Sequence, residues 1–258
     1  MPWFELIADE LLSSVGRRRV AECLRADYPL ALHAVGTNIA GSDPLDESYI
    51  LQLRDQADQL QVGWLSDHLC WSAHGKRQHF DLLPMPFSDR QLGYIASRVQ
   101  HVQELMGRPL VLENISYYVR FVEDEMSEWE FHAQLCKKTG CEILLDLNNL
   151  WSNALNFARD PVADLQLALS TLPAESIRQI HLAGASCQEG DTPYWIDTHG
   201  EPVPDPVVSL YVETCKHLPD VPAIIERDNS LPTFAVLQQE RQQLQLWAAG
   251  ADRNISHA

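Results

Sequence analysis

The sequence predicts a TIM-type (β/α)8 barrel, and three observations carry the prediction. Short apolar runs alternate with amphipathic stretches along the chain. The runs are apolar on both faces, as parallel strands covered by helices require. Nearly every run also ends in a group that can bind a metal or move a proton, as at the mouth of such a barrel. Strand–helix alternation implies a parallel sheet. A barrel of this kind takes about 250 residues as one unit, which suits a chain of 258. We expect one domain over residues 1–250 and a flexible tail over 251–258.

The strands are predicted over 3–8, 29–35, 62–68, 109–114, 142–147, 178–183 and 222–227. Between them, Leu92, Ile95, Ala96, Val99, Val102 and Met106 recur at helical spacing after Ser88, a natural N-cap. Phe234, Leu237, Leu244 and Ala248 do the same near the end. Segments 46–60, 127–139 and 161–172 complete the helical pattern. The strands number seven where a closed barrel has eight, so the barrel is predicted to lack its first strand. Unpaired backbone at two open edges would then favour low stability or oligomerisation.

Composition narrows the function. There are 19 basic and 36 acidic residues, a net charge of −17. Such a surface repels phosphate backbones, so no nucleic-acid partner is expected. No apolar run reaches the roughly 18 residues of a membrane span, and the start, Met1 to Leu12, lacks the basic region and cleavage site of a signal peptide. A cytoplasmic protein with no membrane partner is the expectation. Six cysteines without a CxxC pair read as packed free thiols in a reducing compartment.

The strand ends carry the chemistry. His33 lies in the second strand, Ser66-Asp67-His68 ends the third, Glu113-Asn114 the fourth, and Asp146-Leu147-Asn148-Asn149 the fifth. His181 lies in the sixth, Glu226-Arg227-Asp228 ends the last, and a loop adds Asp197 and His199. Each has an ordinary alternative. A lone His there is commonly a hydrogen-bonded core residue, a lone carboxylate a helix N-cap, Asn148 and Asn149 a turn, Asp197 and His199 plain surface, and Asp228 a loop cap to Asn229. Six strand ends equipped in this way are hard to explain as independent accidents, because charged groups are rarely buried without partners. Imidazoles mixed with carboxylates suit iron, zinc or manganese. Glu113 and Asp146 are the natural bridging carboxylates. Glu226 and Asp228, two apart, face the same side, so one could ligate while the other reaches substrate.

The motifs Leu65-Ser66-Asp67-His68-Leu69-Cys70-Trp71, Leu112-Glu113-Asn114-Ile115-Ser116-Tyr117-Tyr118, Leu145-Asp146-Leu147-Asn148-Asn149-Leu150, His181-Leu182-Ala183-Gly184, Ile196-Asp197-Thr198-His199-Gly200 and Glu226-Arg227-Asp228 resemble the multinuclear non-haem iron-dependent oxidases, the methanobactin-biosynthesis-oxidase-like family. The resemblance runs in order from about Trp3 to Leu237. It implies a TIM-type barrel holding two or three iron ions of mixed valence. With O2, such enzymes oxidise a residue, typically cysteine, of a ribosomally made precursor peptide. A separate partner protein usually binds the peptide leader. Carried over position by position, His33, His68, Glu113, Asp146, His181 and Glu226 would be core ligands. Asn149, Asp197 and His199 would serve a third metal, and Asp228 would sit beside substrate. The sequence departs from the family after His181-Leu182-Ala183-Gly184, where Ala185-Ser186-Cys187 replaces a frequent histidine. That weakens the third metal unless Cys187 substitutes as a soft ligand.

Two other readings compete. One is a divalent-metal isomerase or hydrolase on the same kind of barrel. The charge argues against its endonuclease form, and the lack of a lysine in the strand-end motifs argues against a sugar isomerase. The other is a non-catalytic metal-holding scaffold, against which the full ligand set argues, since unused buried charges are costly.

Overall fold

The computed structural model describes residues 2–75, 77–190 and 193–250; the tail expected over 251–258 lies outside the described residues. In chain order the elements are β1 (Phe4–Ile7), α1 (Ala8–Ser13), α2 (Val15–Asp27), β2 (Leu30–His33), α3 (Glu47–Gln59), β3 (Leu65–His68), β4 (Trp71–His74), β5 (Arg77–Leu83), α4 (Asp89–Met106), β6 (Val111–Glu113), α5 (Glu128–Thr139) and β7 (Glu142–Asp146). There follow α6 (Leu147–Asn156), α7 (Pro161–Thr171), β8 (Ile177–Leu182), β9 (Ser186–Gln188), β10 (Tyr194–Ile196), α8 (Asp205–His217), β11 (Ala223–Ile225) and α9 (Phe234–Ala248). The chain divides into two compact units, Met1–Leu145 with Thr171–Arg178, and Asp146–Ser170 with Gln179–Ala258.

In the first unit, β1, β2, β3, β6 and β7 pair in parallel in that order. The register sets His33 beside Ser66 and His68 beside Glu113. Strand β2 is buried throughout and β1 only half-buried. Helices α3, α4 and α5 pack in succession. Ser88 caps α4 by accepting from the Gln91 N–H, and the predicted stripe Leu92, Ile95, Ala96, Val99, Val102 and Met106 is its buried face. Helix α5 starts with a capping box between Ser127 and Glu130 and ends at Gly140, whose φ of 71° is a left-handed conformation glycine adopts without strain.

In the second unit, β11 pairs in parallel with β8, placing Ile224 beside His181. The antiparallel pair β9–β10 packs on α6, and α8 packs on α6 and α9. Gly184 permits a close passage: a Cβ there would lie 2.4 Å from the Glu201 carbonyl oxygen.

All seven predicted strands are present, and they are the seven parallel strands among the described residues. Four helices were not predicted. Helix α2 buries only Ala21. Helix α6 is the reverse case: eight of its ten residues, Leu147 to Ala154, are buried, including Asn148, Asn149 and Asn153. Its apolar residues Leu147, Leu150, Trp151 and Ala154 do recur at helical spacing, but Asn148 and Asn149 among them read as a turn. Helix α1 has six residues, too few for a periodic signal, and α8 begins in a proline-rich stretch, with Pro206 in its first turn. The antiparallel pair β4–β5 was also not predicted.

The loop after β2 is fastened from α4. Buried Arg98 donates to the carbonyls of Ile39 at 2.7 Å, Asp43 at 2.8 Å and Asn38 at 2.9 Å. Asn38, at φ 50°, in turn accepts the N–H groups of Ser72 and Ala73 through its side chain, at 2.8 and 3.1 Å. Replacing the guanidinium with an apolar chain strands those carbonyls, at roughly 1–3 kcal/mol for each left unsatisfied. Arg98→Met is expected to cost about 3 kcal/mol in urea denaturation, with unchanged cooperativity.

Candidate metal centres

The first unit holds one donor cluster. His33 Nε2 lies 3.3 Å from His68 Nε2 and 3.4 Å from Glu113 Oε2, and His68 Nε2 lies 3.5 Å from that same oxygen. Donors about 2.0–2.2 Å from one cation stand roughly 3.0–3.5 Å apart, so these three atoms fit a shared ion. Glu113 and His33 are almost completely buried. On the outer side, His33 Nδ1 is held by Ser66 Oγ at 2.8 Å, and His68 Nδ1 faces Asp67 Oδ1 at 3.4 Å. Asp67 is itself fixed by the N–H groups of His68 at 2.6 Å and Thr37 at 2.9 Å. Such partners orient ligating imidazoles and raise their basicity.

The second unit holds another cluster. Asp146, His181 and Glu226 offer ligand atoms within 4.8 Å of one another, as do His199, Glu226 and Asp228. His181 Nδ1 is 2.9 Å from Glu226 Oε2 and 3.9 Å from Asp146 Oδ2, while its Nε2 meets the Gln179 amide at 2.6 Å. His199 Nδ1 is 3.0 Å from Asp228 Oδ2 and 3.5 Å from Glu226 Oε2. Glu226 Oε2 therefore belongs to both groups of three, a bridging position.

Local structure explains each placement. Asp146 ends β7 and caps α6: its Oδ1 accepts the Asn149 N–H at 2.6 Å, while Oδ2 faces His181. The N-cap reading and the ligand reading thus describe two oxygens of one carboxylate. Asn149, the expected third-metal ligand, is buried in the first turn of α6. Asp197 stands on the other ring nitrogen of His199, 2.6 Å from Nε2, and accepts from the Asn148 amide at 2.7 Å. His199 has φ 46°, an unusual left-handed conformation for a non-glycine residue. Its carbonyl accepts the N–H groups of Asp228 at 3.1 Å and Asn229 at 3.4 Å, which hold the turn. Glu226 and Asp228 both reach His199, whereas Arg227 between them pairs with Glu240 of α9 at 3.1 Å. Cys187 is exposed and free and stands in no metal-capable group among the described residues.

The electrostatics call for added positive charge. Asp146, Asp197, Glu226 and Asp228 face two imidazoles, His181 and His199. Burial, and then the charge of Asp197, push the Asp146 carboxyl up to about 7. Burial opposes a charge on His199, but its hydrogen bonds to Asp197 and Asp228 and the nearby Glu226 outweigh that and push it up to about 12. The carboxylates around His199 thus favour the protonated ring. Sequence reasoning missed Ser66 and Gln179 as partners of the histidines. Gln179 lies two residues before His181 on its own strand, hence on the same face, and that spacing could have found it; Ser66 meets His33 across neighbouring strands, which spacing along one strand does not show.

These two clusters on strand ends define an α/β protein of the TIM-type barrel class equipped to hold metal ions. The chain belongs to the family described as RiPP precursor modification enzymes MbnB/TglH/ChrH, which it matches over residues 1–249. It is 43% identical to a UPF0276 protein of Anaeromyxobacter sp. (strain Fw109-5) over 239 residues, covering 92% of this chain and 82% of that protein. A UPF0276 protein of Acaryochloris marina (strain MBIC 11017) is 37% identical over 94% of this chain and 86% of its own. Among solved structures, endonuclease IV from Thermus thermophilus superimposes with a TM-score of 0.63 at 14% identity, covering 96% of this chain and 90% of that one. D-psicose 3-epimerase from Clostridium cellulolyticum gives a TM-score of 0.57 at 11% identity, over 95% and 87%. At those identities the likeness concerns the fold alone.

Both elevated groups make the metal-free protein sensitive to alkali. Asp146 titrates above its unfolded value, so its contribution is complete below about pH 4 and lost as the pH rises through about 7. His199 likewise contributes fully below pH 6.5 and loses its share on the way to about 12. The melting temperature of the metal-free protein is expected to fall between pH 5 and 8. Asp146→Asn should flatten that fall, as calorimetry at stepped pH would show.

Proposed function

We propose that this chain is a multinuclear non-haem iron oxidase that uses O2 to modify a cysteine of a ribosomally made precursor peptide. The observation that carries the proposal is the pair of donor clusters, each built of imidazoles and buried carboxylates, in a chain whose family is described by precursor modification. His33, His68 and Glu113 would hold iron in one cluster. Asp146, His181 and Glu226 would hold it in the other, with His199, Asp197 and Asn149 serving a third ion. Mixed imidazole and carboxylate ligation suits iron that must keep positions open for small molecules. Bound iron supplies one-electron chemistry and the activation of dioxygen.

The chain's own residues do the rest. Asp228 is the group for proton transfer: its side chain is 52% exposed while that of Glu226 is 13% exposed. A bound peptide can therefore reach it, and His199 Nδ1 fixes its Oδ2. Ser66, Asp67 and Gln179 hold the imidazoles in their working orientation. The peptide would be presented by a leader-binding partner protein, and the enzyme would act in the cytoplasm. No described helix is long and apolar enough to cross a membrane.

Elemental analysis and Mössbauer spectroscopy on protein purified without oxygen test the metal. Two or three irons per chain with a coupled mixed-valent pair are expected. Zinc, manganese or magnesium that iron cannot replace would instead indicate a divalent-metal isomerase or hydrolase. Asp228→Asn should keep its iron yet lose at least about 100-fold in peptide-dependent O2 uptake, the scale of a lost acid–base group. Unchanged uptake would remove Asp228 from the mechanism.

A further inference from the structure

Two cysteines stand together outside both donor clusters. Cys136 lies in the last turns of α5, and Cys141 directly precedes β7, the chain folding back between them at Gly140. Both thiols are free and buried, and their sulfurs are 3.8 Å apart. Cys136 also lines a cavity of about 460 Å³, walled by Ala133, Gln134 and Lys137 of α5 and by Pro173, Glu175 and Ser176. Both thiols are thus buried, while Cys136 borders a hollow that a small reagent can enter.

We propose that Cys136 and Cys141 form a redox-active dithiol, which a hydroperoxide entering this cavity converts to a disulfide. The Cys136 sulfur attacks one peroxide oxygen. The O–O bond breaks, the leaving oxygen departs as water or alcohol, and Cys136 becomes a sulfenic acid. The Cys141 sulfur then attacks that sulfur, the S–O bond breaks and a molecule of water leaves. Two thiols are oxidised by two electrons in total, and the peroxide is reduced by two. A resolving thiol this close intercepts the sulfenic acid before irreversible oxidation. The disulfide needs its sulfurs at about 2.05 Å, so the gap must close by roughly 1.8 Å, within reach of rotation about the two Cα–Cβ bonds. A thiol reductant restores the pair by exchange. Exposed Cys23 and Cys187 supply an internal comparison, since simple accessibility would favour them.

Trypsin cuts after Lys137 and Lys138, so the two cysteines fall in separate peptides that only a disulfide keeps together. The full chain, reduced and then treated with graded hydrogen peroxide, is alkylated and mapped by mass spectrometry. The expected result is a Cys136–Cys141 linked peptide pair, a loss of two of the six alkylatable thiols, and full recovery with dithiothreitol. In Cys141→Ser, Cys136 should instead be recovered as sulfenic or sulfinic acid. Recovery of Cys136 and Cys141 as free thiols after Cys23 and Cys187 have been oxidised would overturn the proposal. So would over-oxidation of Cys136 in the unmutated chain with Cys141 untouched. If Cys141→Ser does not fold, the map of the unmutated chain decides alone.

Discussion

Glu113 and Asp146 sit at the ends of strands whose other inward residues are leucine, isoleucine and valine, and neither carboxylate is more than 1% exposed. An ionised carboxylate taken that far out of water costs several kcal/mol unless its charge is answered nearby. Much of the surrounding polar structure answers it. Two imidazoles converge on Glu113. Asp146 is met by the first turn of α6 through one oxygen and by His181 through the other. Ser66, Asp67 and Gln179 then fix the rings that do the answering. In the second cluster the supply falls short, and the shortfall is visible as a carboxyl shifted toward neutrality and an imidazole that keeps its proton far into alkali. Cations resolve both shifts at once.

The fold was legible where a strand's two faces are buried and a helix's two faces differ. Strands such as β2 and β7 announce themselves as compact apolar runs, and α4 as a clean stripe. Two helices escaped this reading. Helix α2 keeps most of its residues in water and buries only Ala21. Helix α6 carries Leu147, Leu150, Trp151 and Ala154 at helical spacing, but Asn148 and Asn149 among them read as a turn, and partners such as Asp197 let the helix bury them. The hairpin of β4 and β5 depends on the loop after β2, through Asn38, a dependence that no local pattern records.

The site was legible as a set of positions rather than as an arrangement. The residue types at His33, His68, Glu113, Asp146, His181 and Glu226 stand out because each interrupts an apolar context. What they do to one another depends on register and side-chain direction. The sequence suggested Glu113 and Asp146 as shared carboxylates; within the second unit Glu226 also stands in two donor groups, which no strand spacing shows. Asp197 was grouped with His199 as a ligand, and the structure sets it on the ring nitrogen opposite to the one facing Glu226 and Asp228.

Arg227 stands between two of the site's carboxylates and points the other way, onto Glu240 of α9, which also accepts the Val203 N–H at 2.8 Å. Since Glu226, Arg227 and Asp228 are consecutive, that one ion pair moors the segment carrying both carboxylates to the last helix of the chain.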